Sequence, residues 1–575
     1  MIAASLLILC LIIFLPSITP PVAISIGISV LISGALLWTY SEFPVLVFSN
    51  LRRGFGLSTL SLNRYALRGE RTAIIHGAVE VSPAEEFLGF MLLGAPGSAK
   101  TVRLLFGYLT PLLNRVKQEG GRRTSLIISD PKGTMVGLVE RVIPFEKLYV
   151  LNPLYLDHPR FCQWAMGLEL KLLKQITEFV ARLFPEEKEK DSTSEFFSGW
   201  AKAIIVAVIY SLSLAFQAEA EAFVALGRAP YYLLRDIVLA FESLETVVVI
   251  ITAHHPTPEK FRSFLKSKEG KAAYATAAQK IQSFSVPAAL WSHAKISVRL
   301  GQILRQPSVF ILGASPRNIA LNAQLNGPLM DEFTAILLSK PERRHDPNGI
   351  ETFVIDDESE LTKMQQKHMG LNMGRSKAVT YISTALSIPG LKLTHPGESA
   401  NAVLGLSQHH GYLGVDMESS AYLSEKLGDI DVVEEQVSFG TQYGKDGTTS
   451  STTHSFQKTQ RRLLSPQELN RTNPDYGTPG TSYGYFVAPG RGVHRSLDSI
   501  ETLLKYSYQE APSRFPMMDD NDPRQILTPW SAKERSLLKL SPLTSLKDTE
   551  PRLKAKTRSN ASRQPQKKQQ RQQNR

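Results

Sequence analysis

Hydrophobic and polar positions divide this 575-residue chain into regions of different character. Residues 2–15 and 23–40 are apolar runs separated by a turn-like stretch at 16–22, and no charged side chain precedes Glu42. That pattern predicts two transmembrane helices in a tight hairpin over residues 1–41. The first run is shorter than the ~20 residues that usually span a bilayer. A cleaved signal peptide fits less well, because the start carries no positive charge and no clear small-residue cleavage site. Arg52, Arg53, Arg64, Arg68 and Arg71 follow the second run. An excess of arginine on that side places the bulk of the chain in the cytoplasm.

Residues 42–164 and 291–470 alternate short β-branched runs with helical periodicity. Strand-like runs occur at 87–93, 125–129, 147–151, 308–312, 352–355 and 379–383. Such alternation predicts an α/β fold with a parallel sheet covered by helices. Residues 165–290 contain helix formers and few strand signals, which predicts an all-helical insertion. Within it, 203–216 is the most apolar stretch. It lies between Lys202 and Glu219 and is too short to span a bilayer, so it reads as a buried helix. Residues 440–457 are rich in Gly, Ser, Thr and Gln, and a capping-box pattern opens a short helix at Ser465. From 471 to 575 the composition reads as low-complexity and mostly disordered. There is no internal repeat.

With 43% hydrophobic residues the chain can bury a large core, and its length exceeds one ordinary domain. Its two cysteines, Cys10 and Cys162, exclude a disulfide scaffold and a Cys-rich zinc site. The net charge of +12 is concentrated at one end, where residues 552–575 hold nine Lys/Arg and no acid. Such an arm suits nucleic acid or anionic lipid, and its lack of aromatics favours backbone contact over base stacking.

The densest chemical signal is Gly94-Ala95-Pro96-Gly97-Ser98-Ala99-Lys100-Thr101, between a predicted strand and a predicted helix. Strand, glycine-rich turn and helix in that order make a phosphate-cradling P-loop. Lys100 would reach the β- and γ-phosphates of ATP, and the Thr101 hydroxyl would sit on Mg²⁺. The pattern wants glycine where Ala99 stands. A right-handed helical Ala99 would cost little, whereas a positive φ would weaken binding.

A P-loop ATPase also needs an acidic strand end, and the run at 352–355 is followed by Asp356, Asp357 and Glu358. Asp356 or Asp357 would hold Mg²⁺, and Asp357 or Glu358 would polarise water; the register stays open by one residue. The acids at Asp331 and Glu332 follow Gly327-Pro328 and read as a helix start. Arg375, in Gly374-Arg375-Ser376-Lys377, is placed to serve a neighbouring subunit's γ-phosphate. The pairs His254-His255 and His409-His410 lack metal-ligand spacing.

In this order, these pieces resemble the coupling proteins of conjugation and type IV secretion, the TraD/TraG family. The resemblance covers about residues 1–465. It includes the membrane helices, the P-loop, Asp130-Pro131-Lys132-Gly133, Phe196-Phe197 with Trp200-Ala201, the acidic strand and the Gly374–Lys377 segment. It implies a RecA-like P-loop ATPase with an all-α insertion, anchored in the bacterial inner membrane and assembled as a homohexamer. Such a protein uses ATP and Mg²⁺ to deliver single-stranded DNA in a relaxase complex, or a protein, to a type IV secretion channel. Asp130 and Lys132 join the nucleotide site by this resemblance. Three positions depart from the family: Ala99, Thr134 in place of Glu, and Thr384-Ala385-Leu386 where a nucleotide-sensing Gln is usual. They motivate an alternative, a nucleotide-binding docking platform with little or no hydrolysis. A DNA pump for chromosome segregation fits less well, given the short hairpin anchor and the Gly-Arg-Ser-Lys segment.

Overall fold

The computed structural model describes residues 59–62, 70–118, 120–184, 192–313, 319–357, 363–395, 398–444, 447–470, 480–519 and 521–541. The predicted membrane hairpin and the basic arm at 552–575 lie outside these residues. The chain forms two compact units. One runs to Val150 and continues over Ile303–Arg514; the other holds Leu151–Gln302 and the chain from Phe515 onward.

The first unit is built on strands β1 (Thr59–Leu60), β2 (Ile75–His76), β3 (Val79–Glu80), β4 (Phe90–Leu93), β5 (Thr124–Ser129) and β6 (Leu148–Val150). The second unit contributes β7 (Cys162–Trp164) and β8 (Ile296–Val298). The first unit then resumes with β9 (Val309–Leu312), β10 (Glu351–Asp356), β11 (Val379–Ala385) and β12 (His409–Tyr412). It ends with β13 (Asp429–Gly444), β14 (Gly447–Arg462), β15 (Thr481–Ala488) and β16 (Gly492–Ser499).

Ten of these strands make one sheet in the order β1-β16-β15-β12-β4-β11-β10-β5-β9-β6. From β12 to β6 every pairing is parallel. Strands β4, β5, β9, β10 and β11 are buried along their whole length. That matches their nearly continuous apolar runs, since a parallel sheet is covered by helices on both faces. The α/β expectation therefore holds.

The helix that follows the P-loop runs through Lys100–Leu104, a π-type stretch Leu105–Leu109 and Thr110–Lys117. Gly107, within the π stretch, has no room for a side chain: a Cβ there would come within 2.3 Å of the Ile75 carbonyl oxygen. Asp331 and Glu332, expected at a helix start, lie instead inside the long helix Ile319–Leu338, which contains Pro328. Asp331 accepts from the Gln365 and Gln366 N–H groups at 3.0 and 2.8 Å, so its carboxylate fastens the segment leading into a different helix, Lys367–Gly374.

Sheet order also changes the reading of the C-terminal part. Residues expected in a disordered tail supply β15 and β16, which pair antiparallel and extend the main sheet through β12. Phe486 and Tyr485 are buried there. The capping box at Ser465 forms as read, with the Glu468 N–H donating to Ser465 Oγ and the Ser465 N–H to the Glu468 carboxylate.

The second unit is mainly helical. Helix Ser192–Ala218 is packed by Leu173–Leu183, Leu244–His254 and Lys268–Gln282. Its stretch Glu195–Ala218 is long and apolar enough to cross a membrane. Ile204, Ile205, Val208, Ile209, Leu212 and Phe216 are nevertheless buried within the unit, as expected of a core helix. The unit is not purely α: β7 and β8 pair in parallel, and Glu169 ties them to the loop after β8 through the Leu300 and Gly301 N–H groups. The chain after 515 belongs to this unit as well. Trp530 is buried and donates to Asp236 at 2.9 Å, and helix Ala532–Leu537 carries Glu534 to Arg235 at 3.0 Å.

Candidate nucleotide-binding site

The P-loop leaves the carboxyl end of β4 and is fastened to both neighbouring strands. The Gly94 N–H donates to Ala385 O at 3.1 Å and the Ala95 N–H to Gly414 O at 2.8 Å. Gly94 has no room for a side chain, because a Cβ would lie 2.4 Å from Ser98 Oγ and 2.7 Å from Leu413 O. Gly97 has φ +79°, the left-handed region that favours glycine. The Ser98 N–H closes the turn on Ala95 O, and the buried Ser98 Oγ has no protein partner. Lys100 begins the helix and folds back over the loop, its Nζ donating to Gly94 O at 3.1 Å. Thr101 follows, half-buried, in the first turn. Pro96 and Gly97 face solvent.

Ala99 decides the question left open by its sequence. It has φ 61° and ψ 21°, in the left-handed region that glycine enters at least cost. Ala99, Ala378 and Lys539 are the non-glycine residues with positive φ among those described. The first precedes the P-loop helix and the second precedes β11.

The acidic strand β10 lies one strand away from β4, with β11 between them. Its end reaches the same edge of the sheet as the P-loop, because all three strands are parallel. Asp356 is fully buried and paired with Lys367 Nζ at 2.5 Å, and that lysine is also fully buried. Asp357 is buried and accepts from Thr384 Oγ1 at 2.7 Å. Asp130, at the end of neighbouring β5, accepts from the Thr134 and Met135 N–H groups at 3.2 and 2.7 Å. Burial, together with the nearby Asp357 charge, pushes the Asp130 carboxyl up to about 7.

The structure thus gathers the residues after β4 with Asp130, Asp356 and Asp357 along one edge of the sheet. In open α/β sheets that carboxyl edge is where ligands bind. Lys132 is exposed on the turn after Asp130. Glu358 lies outside the described residues. Arg375 is not brought to its own P-loop: it is exposed on the turn Arg375–Lys377, which precedes the amino end of β11, at the opposite edge. Two residues of this site escaped the sequence reading. Lys367 carried no signal, since a lone lysine reads as surface. Thr384 was visible only as a departure, yet it occupies the strand between the P-loop and the acids and contacts Asp357.

Residues 73–477 match the model of a family described as the type IV secretion-system coupling protein DNA-binding domain. The chain belongs to this family. Among solved structures it is similar to the bacterial conjugative coupling protein TrwBdeltaN70 in its unbound monoclinic form. The TM-score is 0.55 at 15% identity, covering 81% of this chain and 93% of that one. It is also similar to the plasmid coupling protein TrwB in complex with ADP and Mg²⁺, with a TM-score of 0.54 at 15% identity, covering 82% and 96%. A third match is TrwB with a non-hydrolysable ATP analogue, with a TM-score of 0.53 at 15% identity over 80% and 94%. At this identity the likeness establishes a shared fold. No curated protein matches the sequence significantly.

Proposed function

We propose that this member of the coupling-protein family is a nucleotide-driven motor at a bacterial inner membrane. It would receive single-stranded DNA through a relaxase complex, or a protein substrate, and pass it to a type IV secretion channel, working as a homohexamer. The observation that carries the reading is the shared edge. A glycine-turned loop with an inward-folded lysine stands one strand from buried carboxylates, in a family whose model is described as DNA-binding.

The residues present fit ATP and Mg²⁺. The loop leaves no space for a Cβ at Gly94 and keeps Gly97 and Ala99 at positive φ, which turns backbone N–H groups toward one side. Lys100 and the first-turn amides would hold phosphate oxygens, and Thr101 with Asp357 would hold Mg²⁺. ATP would supply the phosphoanhydride bond whose cleavage drives movement. Among the protein's own groups, Thr384 orients Asp357, and Lys367 keeps the Asp356 charge compensated. Asp130, held by the Thr134 and Met135 N–H groups, would line the same edge of the site as Asp357. Arg375, far from its own loop, is available to a neighbouring copy.

The test is ATP turnover by the full chain in detergent, with and without single-stranded DNA, beside Lys100→Ala. Turnover that rises with DNA and disappears in the variant supports the motor. The left-handed Ala99 favours a second reading, a docking platform that binds nucleotide without turnover. Nucleotide binding with no DNA-stimulated hydrolysis, in a chain shown to be assembled, would select it.

A further inference from the structure

Strands β13 and β14 form a sheet of their own, separate from the ten-stranded one. Each has 16 residues, paired without interruption from Asp429↔Arg462 to Gly444↔Gly447. At about 3.3 Å per residue the ribbon is about 50 Å long. Among the described residues no third strand flanks it, so both strands present an open edge. An isolated two-stranded ribbon is at best marginally stable in water, and an open edge is a template for further pairing. Two protective devices common at edges are missing: the pairing contains no bulge, and neither strand contains proline. The pleat puts Val437, Phe439 and Phe456 on one face. Phe439 is 80% exposed and Phe456 71%. The ribbon is built to be covered.

Charge identifies the cover. Strand β13 and strand β14 together carry four acids and three bases, with no positive excess for a nucleic acid backbone. The charges are instead segregated by strand. Near the base of the ribbon β13 carries Asp429 and Asp431, and β14 carries Lys458, Arg461 and Arg462. Within the ribbon they already match, with Lys458 Nζ to Asp431 at 2.7 Å and Arg462 Nη1 to Asp429 at 3.3 Å. A neighbouring copy that laid its β14 edge beside this β13 edge would repeat the same antiparallel pairing, the same charge match at the same height and a continuous apolar face. Such a contact is head-to-tail and joins copies in a ring when the rotation closes.

We infer that the β13–β14 ribbon is a subunit-joining element: its β13 edge pairs with the β14 edge of a second copy of this chain. The inference rests on the ring assembly proposed above and names the surface that would hold it.

The experiment uses the full chain in detergent. Ser438→Cys places a thiol on β13 and Thr453→Cys one on β14. A mild thiol oxidant, which forms disulfides only between directly paired positions about 5 Å apart and not between equal positions two strands away, is applied to each alone and to their mixture, with the unmodified chain as control. In a second arm residues 437–454 are replaced by an Asn-Gly turn, and assembly mass is measured by analytical ultracentrifugation. The expected result is a cross-link between chains only in the mixture, and loss of the large assembly on trimming. Cross-linking of the Ser438→Cys chain with itself overturns the inference, as does trimming that leaves assembly mass unchanged. Trimming that abolishes single-stranded DNA binding while assembly persists would assign the ribbon to nucleic acid instead. An unmodified chain that never assembles would sink the ring reading itself, so the two failures are distinguishable.

Discussion

The backbone at Ala99 yields a prediction whose sign alone is decisive. At φ 61° and ψ 21° the residue sits in the left-handed region with no side-chain cap on the helix it opens. For an L-residue that conformation costs about 1–2 kcal/mol relative to right-handed geometry. Ala99→Gly removes this cost but adds about 0.4–1 kcal/mol of chain entropy to the unfolded state. The net gain is about 0.5–1 kcal/mol, and glycine is also the better N-cap. Ala99→Val should move the other way, because a branched Cβ is least tolerated at positive φ. The assay is thermal denaturation of the three chains, with and without ADP and Mg²⁺. The expected order of melting temperature is Gly above Ala above Val. If Cβ also crowds bound phosphate, the glycine chain binds nucleotide more tightly, by about fivefold for each kcal/mol recovered. A glycine chain that melts no higher than the parent, or a valine chain that matches it, would refute the left-handed assignment and the strain derived from it.

Two further predictions follow from buried charge. Lys367→Met strands the Asp356 carboxylate in a site with no solvent, and removal of one partner of a buried pair costs about 3–5 kcal/mol. The double variant Asp356→Asn, Lys367→Met should recover most of that stability in a chemical denaturation series; equal stability of Lys367→Met and the parent would mean the pair is not buried as described. The second concerns acid. Burial lowers His395, His409 and His494 to about 4 from an ordinary value of 6.5, and holds His76 lower than usual as well. Their neutral forms are the ones the fold accepts, so their contribution is complete above about pH 6.5 and is lost as pH falls toward 4. At pH 5 each of the three has forfeited on the order of 2 kcal/mol. Melting temperature should fall steeply between pH 6.5 and 5, and a flat profile over that range would contradict the burial. His409→Phe, which keeps the stack on Phe90 at 4.4 Å, should make the fall shallower.

What the sequence revealed and concealed divides along a physical line. The P-loop and the acidic strand are local: their residues are consecutive, and the apolar run before each predicts a buried strand. Lys367 is not local in that sense. Its meaning comes from a carboxylate 11 positions earlier, and nothing in Gln366, Lys367 and His368 distinguishes a buried ammonium from a surface one. The 440–457 stretch is rich in Gly, Ser, Thr and Gln, yet its threonines are β-branched and it lies in a register that pairs 16 residues with 16. Glycine and serine content concealed a strand pair that has no core of its own to announce it. Strands β15 and β16 were hidden for another reason. They alternate buried and exposed positions only once β12 is beside them, and β12 lies some 70 residues upstream.

The departures from the family pattern become coherent when placed on the sheet. Ala99 holds the left-handed backbone that suits glycine, at an energetic cost confined to one residue. Thr384 is shorter than the glutamine expected nearby, yet it reaches Asp357 because β11 runs directly between β10 and β4. Lys367 begins a helix of eight residues that ends next to Arg375, so the carboxyl and amino edges of the sheet are joined by about 12 Å of rigid element. That helix is seated tightly: a Cβ at Gly370 would meet the Tyr381 hydroxyl at 2.4 Å and its ring at 2.6 Å, and Tyr381 in turn contacts Thr334. A shift of the acidic strand end would therefore move Lys367, the helix and Arg375 together, since packing this close transmits displacement and does not absorb it. The physical connection between the proposed nucleotide edge and the arginine proposed to serve a neighbouring copy would then be carried by residues that no motif marks.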